Sequence, residues 1–152
     1  MHLKRIAALL LTLCSVLLFA TNASAFAESA PAPAQPVKPV QVFDVKAGKV
    51  IQTLPNEQAY QDFAKSWIGS VTGLSPQLTN DDSCSYVYRI PLVKAATVSV
   101  NGMQLASDEV FLFYCEGKPP LLLVFDEQRR PYLLLFKEDI KPFIKKIGVP
   151  AI

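Results

Sequence analysis

The residues that could carry chemistry in this chain of 152 residues are few, and their positions exclude several reaction classes. The single histidine is His2, and the three cysteines are Cys14, Cys84 and Cys115. Residues 26–152 therefore hold no histidine for a Ser-His-Asp or Cys-His nucleophile system and too few ligands for a structural zinc site. The sequence also contains no glycine-rich nucleotide loop and no His-Glu-x-x-His motif. We therefore expect no catalytic residue, no metal site and no cofactor.

The N-terminal residues 1–25 have the pattern of a secretory signal peptide. Lys4 and Arg5 precede the apolar run 6–20, and residues 23–25 read Ala-Ser-Ala, a small-residue cleavage site. The run is short for a membrane span, which needs about 20 residues, so cleavage is favoured over the alternative of an uncleaved N-terminal anchor. We therefore expect a secreted or extracytoplasmic protein with no stable membrane span after cleavage.

Cleavage after Ala25 would also change the net charge. The full chain has 15 Lys and Arg against 13 Asp and Glu, and loss of Lys4 and Arg5 leaves 13 of each sign. A near-neutral chain has no positive surface with which to attract nucleic acid or anionic lipid. We therefore expect no nucleic-acid partner.

Two cysteines, Cys84 and Cys115, remain after cleavage. An even number of cysteines in an exported domain favours one disulfide, which would close a loop of about 30 residues. The alternative is a pair of unrelated thiols. A redox site is less favoured because the sequence has no Cys-x-x-Cys motif.

Three further residues are candidates for binding. Asp81 and Asp82 could offer oxygens to a hard cation, but their spacing is not that of a calcium loop, and a solvated turn is the simpler interpretation. Arg89 lies within an apolar strand pattern, where it could bind an anion or stack on a tyrosine at an edge or on an open face. A solvent-facing role is favoured for Arg89.

The elements that must position these residues follow from composition and periodicity. Residues 26–40 are rich in proline and alanine and predict an extended linker, whereas 41–152 suit a single domain. The fold class predicted for this domain is α+β. It comprises a mostly antiparallel sheet of about five to seven strands, with an amphipathic helix at about 56–70 and a C-terminal helix at about 138–147 packed on it.

The first helix carries Tyr60, Phe63 and Trp67 at spacings of three and four. Such an aromatic stripe is typical of a side that packs in the core. A binding role for Trp67 is the alternative, with Phe111 and Phe113 as the other walls of a pocket between helix and sheet.

The strand predictions depend on turns and alternation. Asn101-Gly102 predicts a hairpin turn, with either 103–105 or 110–115 as the return strand. Residues 121–125 and 132–136 are apolar at successive positions, which is typical of central strands covered on both faces. Residues 73–83 are expected to form a polar loop.

Two acidic pairs, Asp108-Glu109 and Asp126-Glu127, lie at or near strands. Neighbouring strand residues point to opposite faces, so neither pair can act by itself as an acid–base couple.

The order of several motifs resembles a known group of proteins. These are the Phe-Asp-Val and Gly-Lys-Val opening, the sequence Trp-Ile-Gly-Ser-Val-Thr-Gly-Leu at 67–74, Arg-Ile-Pro-Leu at 89–92, Leu-Leu-Leu-Val-Phe-Asp at 121–126 and a closing Lys-rich helix. Together they resemble small exported proteins of Gram-positive endospore-formers that have no assigned activity. The resemblance covers most of residues 42–147 and implies an extracytoplasmic setting.

Three functions remain at this point. The favoured one is a secreted or cell-envelope module without catalysis, which binds a protein or wall component through a sheet face or edge. The alternatives are a small apolar-ligand carrier and a carboxylate-dependent hydrolase, whose two carboxyl groups would lie about 5–10 Å apart across a cleft.

Overall fold

A computed structural model describes residues 36–76 and 84–150. The predicted signal peptide, most of the predicted linker, and both Asp81 and Asp82 lie outside the described residues. The strands are β1 (Val40–Asp44), β2 (Lys49–Leu54), β3 (Val71–Leu74), β4 (Tyr86–Val100), β5 (Met103–Tyr114), β6 (Leu121–Phe125) and β7 (Pro131–Phe136), and the helices are α1 (Gln58–Gly69) and α2 (Lys141–Ile147). None of the helices in this described part of the chain is long and apolar enough to cross a membrane.

The seven strands form one antiparallel sheet in the order β2-β1-β4-β5-β6-β7-β3. Strand β5 is the middle strand, with three strands on each side. The α+β prediction is therefore confirmed, including the antiparallel sheet and both helices.

Turn residues fix two hairpins, β1–β2 and the predicted hairpin at Asn101-Gly102. Gly48 has a φ of +65° between β1 and β2, and Asn101 and Gly102 have φ values of 49° and 76° between β4 and β5. Two successive positive φ angles are what a two-residue hairpin turn needs to match the twist of its strands. The return strand is longer than either predicted segment, because β5 runs without a break from Met103 to Tyr114 and includes 103–105 and all but the last residue of 110–115.

One prediction about the loops is wrong in part. Residues 73 and 74 were expected in a polar loop, but Val71–Leu74 forms β3, which pairs with β7 at the sheet edge. A strand of four residues that contains Gly73 has little pattern of its own and depends on the pairing with β7.

Both helices pack on the same face of the sheet. Trp67 of α1 is fully buried and meets the ring of Phe143 from α2 edge-on, with centroids 4.9 Å apart. Phe143 also meets Tyr88 of β4 edge-on at 5.1 Å, and the Tyr88 hydroxyl donates a hydrogen bond of 2.6 Å to the carbonyl of Val149. The aromatic stripe of α1 is therefore part of the core, as predicted.

The C-terminal helix is shorter than the predicted range. It begins at Lys141, whose N–H donates to the Asp139 carboxylate at 2.9 Å, and Pro142 lies in its first turn, where a missing N–H costs no hydrogen bond. Gly148 ends the helix in the left-handed region, with a φ of 74°, and its N–H donates to Ile144.

An irregularity in β4 ties α1 to the sheet. The β4–β5 register shifts between Pro91 and Ala96. The carbonyl of Pro91 accepts hydrogen bonds from the side-chain amides of Asn56 and Gln61, at 2.7 and 2.9 Å, and the Gln61 oxygen accepts one from the Val93 N–H. Beyond this bulge the hairpin adds apolar side chains to the same core.

Within residues 36–76 and 84–150, the prediction that 121–125 and 132–136 are covered on both faces is wrong. One face of these strands packs under the helices, where Leu122, Val124 and Leu134 are fully buried. The alternate residues, such as Leu123 and Leu133, keep part of their surface exposed. Within the described residues, no helix or strand is layered over this second face, which we call the open face.

Candidate binding face

The open face begins with a row of apolar side chains that crosses the sheet. Side chains alternate between the two faces of a strand, and directly paired residues share a face, so the strand register defines the row. Phe43 pairs with both Val50 and Val87, Val87 with Phe113, and Phe113 with Leu121, while the β6–β7 register sets Leu135 beside Leu121. We call these six residues the apolar row.

A second row lies next to it and is mixed in character. It comprises the successively paired residues Gln41, Arg89, Phe111, Leu123 and Leu133. Phe111 meets Phe125 edge-on at 5.7 Å, and Phe125 is covered by the guanidinium of Arg129 at 5.2 Å from the ring centroid. Two phenylalanines therefore continue the apolar surface up to the polar end of the face.

The exposure of these side chains distinguishes the open face from the helix side. Phe43 and Leu135 are 36% and 38% exposed, and none of the apolar residues named in the two rows is fully buried. On the helix side, the paired residues Val42, Tyr88 and Leu112 are all 0% exposed. The open face is thus a continuous apolar surface that the described chain leaves in contact with solvent.

At the polar end of the face, two arginines surround one buried carboxylate. The Glu109 side chain is 8% exposed, and one of its oxygens accepts from two nitrogens of Arg89, each at 2.7 Å. Its other oxygen lies 3.5 Å from Arg129, and Arg89 also donates to the Gln41 side chain at 3.1 Å. A buried carboxylate held this way is neutralised inside the face, and removing Arg89 would leave a buried charge unpaired.

Arg89 therefore has a more specific place than the sequence indicates. It lies in β4, an interior strand, and projects on the open face, which is one of the two placements that the sequence left open, but its guanidinium pairs with Glu109 instead of standing free. Glu109 itself was singled out only as half of an acidic pair. Its neighbour Asp108 is exposed, whereas Glu109 is buried.

A second ion pair fixes the turn beside this cluster. One oxygen of Asp126 accepts from the backbone N–H groups of Gln128 and Arg130, both at 2.9 Å, and the other accepts from the Arg130 guanidinium at 2.6 Å and the Tyr132 hydroxyl at 3.2 Å. Burial opposes ionisation of Asp126, but the Arg130 hydrogen bonds outweigh it, so the pKa of Asp126 lies below its usual value. A carboxyl group with a lowered pKa is poorly suited to donate a proton in catalysis.

The other candidate residues do not lie together in the structure. Trp67 is buried on the helix side, whereas Phe111 and Phe113 lie on the open face, so these three side chains do not line one pocket. Within residues 36–76 and 84–150, no group of His, Cys, Asp and Glu side chains could hold a metal ion.

Cys84 and Cys115 form a disulfide with an S–S distance of 1.98 Å. They lie where β4 begins and β5 ends, next to the hydrogen bond from the Ser85 N–H to the Tyr114 carbonyl. The bond therefore closes the β4–β5 hairpin at the end opposite the Asn101-Gly102 turn.

Comparison with protein-family models, with curated proteins and with solved structures found no match for this chain.

Proposed function

We propose that this chain is an exported module without catalytic activity, and that it works by binding a protein or a cell-wall component on the open face. The observation that carries the proposal is the apolar row, together with the phenylalanines beside it. Soluble monomers rarely expose contiguous apolar patches larger than a few hundred Å² unless the patch is an interaction site.

Two features of the chain support export. Residues 1–25 have the pattern of a signal peptide, and the Cys84–Cys115 disulfide fits an oxidising compartment outside the cytoplasm. The resemblance to exported proteins of Gram-positive endospore-formers points the same way and stays a prediction.

The sequence itself supports a partner for the open face. Residues 121–125 and 132–136 are apolar at positions that face either side of the sheet, which is the pattern of strands covered twice. The described chain supplies one cover, the two helices. A binding partner on the open face would supply the second.

The two alternative functions have less support. A carrier for apolar ligands needs an enclosed pocket, but its proposed walls lie on opposite faces of the sheet. A hydrolase needs one carboxyl group that can donate a proton, but Glu109 and Asp126, the two buried carboxylates among the described residues, are held by arginines.

The test is capture of a partner by the immobilised exported chain from cell-surface extract of the producing organism. Replacing Phe43→Ser and Leu135→Ser together should lower recovery of the captured component by about tenfold, because apolar anchors in an interface contribute most of its affinity. The matched control is Val93→Ser, since Val93 is apolar and 58% exposed but lies at the β4 bulge beside α1. Equal recovery by all three proteins would contradict a role for the open face.

A further inference from the structure

The open face has an internal symmetry that bears on what covers it. Strand β5 is the fourth of seven, so β1 and β7 lie at equal distances on either side of it. Phe43 of β1 and Leu135 of β7 belong to the same apolar row and are exposed to nearly the same extent, 36% and 38%. If a second copy faced this sheet and were related to it by a rotation of 180° about an axis parallel to β5, β1 of one copy would lie opposite β7 of the other. Phe43 would then lie opposite Leu135, an apolar side chain opposite an apolar side chain.

We propose that a second copy of this chain covers the open face, so that two sheets pack into a sandwich with a twofold axis along β5. The inference rests on the proposed use of the open face for binding and names the occupant. Such an interface is isologous, because the same surface of each copy is buried, and sheets packed this way lie about 10 Å apart with their strands within about 30° of each other.

The size of the face fits a reversible dimer. Seven strands at about 4.8 Å spacing and about five residues per strand at about 3.3 Å give a face of roughly 500 Å² in projection. Accessible surface exceeds projected area because side chains make the surface rough. Each copy would then bury between about 500 Å² and about 800 Å². The upper value is typical of one partner in a specific interface, and the lower value exceeds the area that one partner buries in most crystal contacts.

The charges of the face also fit a second copy. Glu109 is paired with Arg89 within its own chain, so burial of the face leaves neither group without a partner. Two identical faces with internally neutralised charges do not repel each other. A partner of opposite charge is therefore not needed to complete the surface.

The distribution of polar residues selects the axis. Gln41, Arg89 and Glu109 lie toward one end of the strands, and the apolar row lies toward the other. An axis along β5 brings apolar row against apolar row, whereas an axis across the strands would set the arginine–glutamate pair against apolar side chains. The first arrangement avoids this mismatch and sets Phe43 of one copy opposite Leu135 of the other.

Sedimentation equilibrium over a range of protein concentrations tests the proposal. The wild-type exported chain should dimerise, and Phe43→Glu alone or Leu135→Lys alone should each weaken dimerisation at least about tenfold, because an unpaired charge is buried in the interface. Combining Phe43→Glu with Leu135→Lys in one chain should recover much of the affinity, since each new carboxylate then faces a new ammonium group on the other copy. The control Val93→Glu should leave the dimer unchanged.

Each result decides the question. Far-UV circular dichroism first confirms that every variant is folded, and the two sites were chosen because both are already exposed. A wild-type chain that stays monomeric at near-millimolar concentration overturns the proposal. The proposal is also overturned if the single variants do not weaken the dimer, or if the combined variant does not restore its affinity. If the chain is monomeric and the serine variants still abolish capture from extract, the binding function stands with a different partner.

Discussion

At the scale of single residues, Asp126 organises the turn between β6 and β7. Its four accepted hydrogen bonds come from one short segment, and two of them come from Arg130. Arg129, in the same turn, has a positive φ of 63°, which is uncommon for a non-glycine residue. This turn places Arg129 over Phe125 at the polar end of the open face.

The lowered pKa of Asp126 makes a prediction about stability and pH. A carboxyl group whose folded-state pKa lies below its unfolded value of 3.8 stabilises the fold above that pH, and the contribution is lost as pH falls through the folded pKa. We expect Asp126→Asn to be less stable than the wild type at neutral pH, with a gap that narrows as the pH is lowered below 3.8.

Chemical denaturation at a series of pH values measures this gap. The control is Glu127→Gln, which changes the neighbouring carboxylate, an exposed side chain. A gap between wild type and Asp126→Asn that is constant down to the lowest pH would contradict the role given to the carboxylate.

At the scale of elements, the β4–β5 hairpin is closed at both ends. The Asn101-Gly102 turn closes one end, and the Cys84–Cys115 disulfide, which joins residues 31 positions apart, closes the other.

Replacing both cysteines with serine should lower the free energy of unfolding by about 3–4 kcal/mol, because the unfolded chain regains the freedom of that loop. Urea denaturation measures the change, and the reduced wild type is the matched comparison. A loss under about 1 kcal/mol would show that the loop is already restricted when unfolded.

Local elements could be predicted from the sequence because their signals are local. The stripe of Tyr60, Phe63 and Trp67 gives α1, and Asn101-Gly102 gives the hairpin turn. The edge strand β3 was missed because four residues with a central glycine become a strand only through their pairing with β7. The length of β5 was missed because the small and polar residues 106–109 interrupt the apolar pattern between the two predicted segments.

The open face could be predicted only in part, for a different reason. The sequence left Arg89 either at an edge or on an open face, and it showed two strands that are apolar on both sides. It did not identify Glu109 as the partner of Arg89, because the two residues are 20 positions apart and meet only through the β4–β5 register. The symmetry of the apolar row likewise depends on the strand order, in which β3 lies at one edge although it precedes β4 in the chain.

At the scale of the whole molecule, a near-neutral charge and an apolar face determine how binding should respond to salt. Removal of Lys4 and Arg5 with the proposed signal peptide would leave equal numbers of basic and acidic side chains, and the ion pair inside the face is already formed in each chain. Salt weakens association mainly by screening the attraction between oppositely charged surfaces. Association through the open face would involve little attraction of this kind.

We therefore expect the dissociation constant of the complex on the open face to change by less than about threefold from low to high sodium chloride. Sodium sulfate, in contrast, should tighten the complex, because salts excluded from protein surfaces favour burial of apolar area. Sedimentation or calorimetric titration in the two salts at matched ionic strength separates these effects. A steep loss of affinity in sodium chloride would mean that charges outside the apolar row dominate binding, and it would contradict the open face as the main contact.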